Sequence, residues 1–292
     1  MIVVTAPTGL IGGQVLTHLL KADEPLRVIV RDAARLPSEV RDRVEVVEGS
    51  HRDAAVVDKA FEGADSLFWL VPADEHAQSV YDAYVGFSIA AADAIVRHRV
   101  TRVVTISALG RDTQIYAGYA SASNAMDDLI ASTGVHFRAL VMPSFVDNLI
   151  WQVGAMKNAG AFFSPISGDR KLPAVATCDI AAEAARLLRN PTWTGREDVA
   201  VLGPQDLSFN DMAAILTEVL GTPIRFHQVP AQQQKDGFIS RGYTEAMANG
   251  MVDMALAKDN GLDNAVIRTP DNTTATTFRQ WAQDTLKPAF TA

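Results

Sequence analysis

Residues 2–16 read Ile-Val-Val-Thr-Ala-Pro-Thr-Gly-Leu-Ile-Gly-Gly-Gln-Val-Leu, and this stretch decides the fold. Ile2 to Thr5 is a short β-branched run of the kind that forms a buried strand. Turn-forming residues follow, Ala6-Pro7-Thr8-Gly9, and then apolar residues at helical spacing: Leu10, Ile11, Val15, Leu16, Leu19 and Leu20. Strand, tight turn and helix in that order aim free backbone N–H groups and the positive end of a helix dipole at a pyrophosphate. Gly9 lets the backbone approach the phosphates, and Gly12 lets the helix close on the strand. Ala6 stands where the usual pattern has its first glycine. It is expected to avoid positive φ, and Pro7 withholds an N–H, so the loop should offer one donor fewer.

Outward from this unit, strand and helix patterns alternate. Leu26–Val30, Val44–Val47, Ser66–Val71, Arg102–Ser107 and Phe137–Met142 read as further strands, the nearly all-apolar 66–71 run as a central one. Helical spacing covers 53–61, 75–99 and 120–132. This repetition predicts an α/β fold, a doubly wound parallel sheet with ligands beyond the C-terminal ends of its strands. The stretch 145–175 has no clear period. An amphipathic helix follows at 179–189, a strand at 199–202, a helix from Ser208 as N-cap to about Leu220, a strand at 224–229, and a mainly helical remainder. The expected division is a dinucleotide-binding domain over 1–150 and a smaller α+β C-terminal substrate lobe over 151–292, with 176–205 returning to the first domain.

The chain has 292 residues, 48% hydrophobic and 21% charged, an ordinary globular composition. Its net charge is −8, and no basic stripe alternates with aromatics, which argues against nucleic-acid binding. The single cysteine, Cys178, excludes an internal disulfide, and the histidines have no ligand spacing with it or with one another, so no metal is expected. No run suits a membrane span or a leader, and a strand starting at residue 2 leaves no room for one; the expected location is cytoplasmic. No Gly-x-Ser-x-Gly elbow is present, so a serine hydrolase is not expected.

Several ordered motifs make the chain resemble the NmrA-like branch of the atypical short-chain dehydrogenase/reductase superfamily, whose nucleotide domain is a Rossmann fold. They are Thr5-Ala6-Pro7-Thr8-Gly9-Leu10-Ile11-Gly12, Val30-Arg31-Asp32, Phe61-Glu62-Gly63-Ala64-Asp65 leading to Val71-Pro72, Ile106-Ser107-Ala108, Met142-Pro143-Ser144-Phe145 with Asn148, Cys178-Asp179-Ile180-Ala181, and Val201-Leu202-Gly203-Pro204. The resemblance implies NADP(H) as cofactor, held by Thr5, Thr8, Gly9, Leu10, Ile11 and Gly12 of the turn. It adds Arg31, Ser50, Val71, Pro72, Ser107, Pro143 and Phe145. Arg31 ends the second strand, where an arginine can pair with a 2′-phosphate; neighbouring Asp32 is the competing signal for NAD. Ser50 replaces the family's adenine-binding aspartate, and His51 reads as an exposed loop histidine.

Ordinary members of the superfamily use a serine after the fifth strand and a Tyr-x-x-x-Lys pair. Ser107 is in place, but Tyr119 is followed four residues on by Ser123, and no lysine lies between Lys59 and Lys157. Ser107 and Tyr119 are the candidate catalytic residues, without the lysine that lowers a tyrosine pKa. Asp127 reads as a solvated helical carboxylate. Phe145, Asn148, Trp151, Phe162 and Phe163 are read either as the wall of an aromatic or quinone site or as core between sheet and lobe. The expected activity is NADPH-dependent reduction of a quinone, aromatic or enone acceptor, in a narrower version a tailoring step on a polycyclic aromatic metabolite. The alternative is a non-catalytic NADP(H)-sensing regulator acting through a protein partner. A homo-oligomer is left open.

Overall fold

The computed structural model describes residues 1–22 and 24–292. Its strands are β1 (Ile2–Thr5), β2 (Leu26–Val30), β3 (Glu45–Glu48), β4 (Ser66–Trp69), β5 (Arg102–Ala108), β6 (His136–Met142), β7 (Ser144–Phe145), β8 (Ala161–Ser164), β9 (Leu172–Val175), β10 (Arg196–Ala200), β11 (Asp206–Leu207) and β12 (Arg225–Gln228). Its helices are α1 (Leu10–Leu19), α2 (Ser38–Arg41), α3 (Ala54–Phe61), α4 (Phe87–His98), α5 (Tyr119–Ala131), α6 (Val153–Ala159), α7 (Thr177–Arg189), α8 (Phe209–Leu220), α9 (Ala231–Ser240), α10 (Glu245–Asp259), α11 (Phe278–Trp281) and α12 (Lys287–Thr291).

Seven strands pair in parallel in the order β10-β6-β5-β4-β1-β2-β3, so β4 is central, as its apolar run predicts. Side chains alternate between two covered faces. Val3, Leu67 and Trp69 pack toward α3, α4 and α5, whereas Ile2, Val4 and Phe68 pack toward α1 and α7. The strand order reverses between β1 and β4, and the crevice at such a reversal is where ligands of doubly wound sheets bind.

Two elements differ from the sequence reading. The helix expected over 75–99 forms only from Val80, because Asp74 turns its carboxylate onto the His76 N–H (2.9 Å) and Ser79 stands as the N-cap, accepting from the Asp82 N–H (3.0 Å). Such local bonds compete with a helix. It enters α4 through a π turn, Asp82–Gly86, which carries Tyr84. The strand expected at 199–202 is instead β10, starting at the charged Arg196-Glu197-Asp198. As the edge of the sheet it carries exposed ion pairs, Arg196 with Asp128 and Asp198 with Arg111, which blunt the edge.

The aperiodic stretch and the C-terminal part build a lobe with its own core, including Leu149, Met156, Phe162, Leu216 and Trp281. β8 pairs with β12, and β9 lies between β7 and β11, pairing with both. Ser208 is the N-cap of α8, in a capping box with Asp211. Buried Asp147 ties lobe to sheet domain, accepting from the α7 backbone at Thr177 (2.9 Å) and from the Trp281 indole (3.1 Å). The lobe helix α10 lies against the start of α5 with no room between them: a Cβ on Gly118 would come within 2.0 Å of the Gly250 carbonyl oxygen.

Candidate active site

The turn between β1 and α1 closes through a hydrogen bond from the Gly9 N–H to the Ala6 carbonyl (3.0 Å), with Pro7 preset for the turn. Ala6 adopts φ +50°, against the expectation that an alanine would avoid this region. The turn needs the left-handed conformation whichever residue occupies it, at a cost of about 1 kcal/mol for a residue with a Cβ. Thr8, Gly9 and Leu10 are exposed at the mouth of the turn. Helix α1 starts with no side-chain cap and no acidic residue in its first turn, so its first N–H groups are open to an anion. Thr5 departs from its expected role. Its buried hydroxyl donates to the Phe68 carbonyl (3.0 Å) and accepts from the Leu70 N–H (2.9 Å), stapling β1 to the end of β4 instead of facing the turn.

Two cavities open along the C-terminal edge of the sheet. One, of about 470 Å³, is lined by Arg31, Ser50, His51, Arg52, Pro72 and Glu75 among others. Arg52 is paired with Asp82 (3.1 Å), and the Asp32 carboxylate is spent on the Ala34 N–H (2.9 Å). Arg31 is exposed and makes no ion pair among the described residues. His51 is buried, contrary to its reading as an exposed loop residue. Its Nε2–H donates to the Leu70 carbonyl (3.0 Å), and its ring meets Trp69 and Phe87 edge-on.

Burial pulls the His51 pKa from 6.5 down to about 4, with a smaller push the same way from Arg31, so the ring is neutral. The unfolded chain takes up this proton near pH 6.5 and the folded one only near pH 4. The stabilisation is therefore full above pH 6.5 and lost as pH falls through 4, to a limit of about 3 kcal/mol. Urea unfolding from neutral to acid pH should show this loss, and His51→Gln should flatten that part of the profile.

The second cavity, of about 280 Å³, brings together Ile11, Val71, Tyr84, Ser107, Tyr119, Ser123, Pro143, Phe145, Asn148 and, from α10, Met254 and Lys258. Val71 and Pro72 thus fall on the two sides of a partition between the cavities. An apolar extension of about 200 Å³ continues past Phe145 and Asn148 to Phe163, Phe209 and Phe238. Of the aromatics considered from sequence, Phe145 and Phe163 are wall residues. Phe162 is core, against Phe209 and Phe226, and Trp151 is 85% exposed at the surface.

Ser107 and Tyr119 both line the 280 Å³ cavity. Burial drives the Tyr119 phenol well above its ordinary pKa, aided by Tyr84, Tyr243, Glu75 and Asp74, so it stands there as a neutral hydrogen-bond donor. Ser107 Oγ is bonded to Asp127, lies 3.3 Å from Asn124 Oδ1 and 3.4 Å from Ser123 Oγ. Asp127 is fully buried, not solvated. Thr105 donates to its other oxygen (2.8 Å), and Arg111 lies 3.3 Å away. Sequence reading missed three liners. Tyr84 is aimed by a π turn without a local signature. Met254 and Lys258 arrive from a helix distant in the chain. Lys258 is paired with buried Asp263 at 2.5 Å.

Comparisons with known proteins bear on the family and the fold. An NAD(P)H azoreductase of Xenophilus azovorans is 29% identical over 288 residues, covering 97% of each chain. A (4-alkanoyl-5-oxo-2,5-dihydrofuran-3-yl)methyl phosphate reductase of Streptomyces griseus is 28% identical over 293 residues, again covering 97% of each. The fold matches an NADPH-dependent quinone oxidoreductase of Escherichia coli solved with NADPH, at a TM-score of 0.80 and 20% identity, over 96% of this chain and 98% of that one. The sequence profile of the NmrA-like family matches residues 1–281, and with the parallel sheet, the turn and the cavities in place, this chain belongs to the NmrA-like family.

Proposed function

We propose that the protein is an NADPH-dependent reductase of a quinone or a conjugated aromatic or enone small molecule. One observation carries this reading: Ile11, from the helix that follows the phosphate-type turn, shares a cavity wall with the hydroxyls of Ser107 and Tyr119. The residues fit the dinucleotide. The uncapped first turn of α1 and the bare Gly9 suit the pyrophosphate, with Gly12 letting α1 pack close on the turn, Arg31 suits the 2′-phosphate, and Ser50 and Pro72 the adenosine half. Val71, Ser107, Pro143 and Phe145 suit the nicotinamide half. When bound, the cofactor supplies a hydride. The chain's part is to hold the acceptor flat among Tyr84, Phe145 and Met254, to exclude water, and to offer hydroxyls to the oxygen or nitrogen where negative charge develops. The reaction then proceeds without a tyrosine–lysine pair, which suits acceptors that take hydride readily. The names of the azoreductase and quinone oxidoreductase relatives support a reductase over a non-catalytic regulator.

Fluorescence titration with NADPH and NADH, followed by a quinone panel, tests this. NADPH should bind more tightly than NADH, and Arg31→Ala should weaken NADPH alone by about 10- to 100-fold, the worth of charge-assisted bonds to the 2′-phosphate. Equal affinities unmoved by R31A would overturn the assignment of Arg31. Binding without NADPH oxidation would point to the regulator.

A further inference from the structure

We propose that Asp127 is a positioning residue that acts through Ser107 to supply the proton accompanying hydride transfer; this rests on the reductase reading above. Asp127 has no exposed surface, and its contact with the cavity runs through Ser107. A serine has one O–H and two lone pairs, so the state of its neighbour sets what it shows the cavity. When Asp127 is a carboxylate, Ser107 donates to it and presents only lone pairs to an acceptor. When Asp127 is the neutral acid, it donates to Ser107 Oγ, and the serine O–H is released toward the cavity. Asp127 therefore decides whether Ser107 can give a proton.

The surroundings hold this carboxyl near the balance point. Burial favours the neutral acid and is the largest influence, with Asp198 of β10 acting in the same direction. Ser107, Thr105 and Arg111 favour the carboxylate. The Arg111 charge is shared, because it also pairs with Asp128 at 2.7 Å and Asp198 at 2.8 Å, and Asp128 is further engaged by Arg196. On the cavity side the charged neighbour is Lys258, itself tied to Asp263. The result places the Asp127 pKa at about 7.

The step balances as follows. Hydride brings two electrons to the acceptor and leaves an oxygen or nitrogen anion beside Ser107. The Ser107 O–H bond breaks as its proton goes to that anion, and the Asp127 O–H bond breaks as its proton goes to Ser107 Oγ. Acceptor plus hydride plus one proton gives the reduced product. Asp127, left as carboxylate, regains a proton through Ser107 from water that enters after product leaves.

The test compares wild type with Asp127→Asn and Ser107→Ala in three measurements. NADPH affinity by fluorescence should be unchanged in D127N. Turnover in wild type should fall as pH rises through about 7, whereas in D127N it should be lower by about 10²-fold and flat across that range. Infrared spectroscopy of the cofactor-free protein should show a carboxylic acid C=O band that titrates near neutrality, is absent in D127N and is shifted in S107A. Should D127N not fold, the wild-type band and its shift in S107A decide the question. A D127N enzyme with wild-type turnover and pH profile, or a wild-type protein without that band, would overturn the proposal while leaving the reductase reading intact. Loss of NADPH binding by wild type would remove both.

Discussion

Gly12→Ala should cost the protein its NADPH affinity and about 3 kcal/mol of stability, the upper range for overpacking a tight contact. A Cβ at Gly12 would sit 2.2 Å from the Ala6 carbonyl oxygen, 2.8 Å from its carbon and 3.0 Å from the Thr5 oxygen. All three are backbone atoms, so no side chain can swing aside. The Ala6 carbonyl is also held by the Gly9 N–H that closes the turn, and Ala6 already sits at positive φ. The clash must therefore be relieved by moving α1 off β1. That movement loosens Ile11, Val15, Leu16 and Leu19 from the core and carries the N–H groups of the first turn away from the phosphates. Urea unfolding and NADPH titration measure the two losses separately. The control is Gly154→Ala in α6, where an added Cβ meets nothing within 4 Å and both properties should hold. A G12A protein that binds NADPH as wild type does would mean that the turn is not the phosphate site.

Lys258→Met should destabilise the fold by about 3–5 kcal/mol, because it leaves a buried carboxylate without its partner. Lys258 and Asp263 have side chains only 6% and 1% exposed, and the second Asp263 oxygen has no hydrogen-bond partner among the described residues. With the lysine gone, that aspartate must either stay charged in a dry site or take up a proton. The cost therefore belongs to the broken pair. The double change Lys258→Met with Asp263→Leu should recover most of it, since an apolar pair of similar volume carries no desolvation penalty. Substrate affinity should not recover with it, because Lys258 also lines both the 280 Å³ cavity and its apolar extension. Chemical denaturation of the single and double variants, with acceptor KM for each, checks both halves. A single variant as stable as wild type would mean that the ion pair is dispensable.

The sheet was legible in the sequence because its strands are short, local and apolar on both sides. Leu26–Val30 and the central Ser66–Trp69 run could be read almost to the residue. Strand β10 was misplaced because an edge strand carries charges, and Arg196-Glu197-Asp198 does not look like a strand until β6 lies beside it. Strand β12 was read at 224–229 and forms over Arg225–Gln228, but its partner β8, Ala161–Ser164, lies in the stretch without a clear period and carries no local sign of the pairing.

At the site, the sequence alone determined the strand-turn-helix unit, the arginine at the end of β2, Ser107 at the end of β5, and the absence of a lysine four residues after Tyr119. These are local patterns, and local geometry follows from them. Only the tertiary structure decided the electrostatics. It buried His51 against Trp69 and Phe87, turned Asp127 from a helical surface carboxylate into a dry partner of Ser107, and brought Lys258 from α10 to the same cavity. Desolvation and pairing depend on what distant segments place around a group: β4 and α4 enclose His51, β5 lies against Asp127, and Lys258 arrives only when the lobe packs on the sheet.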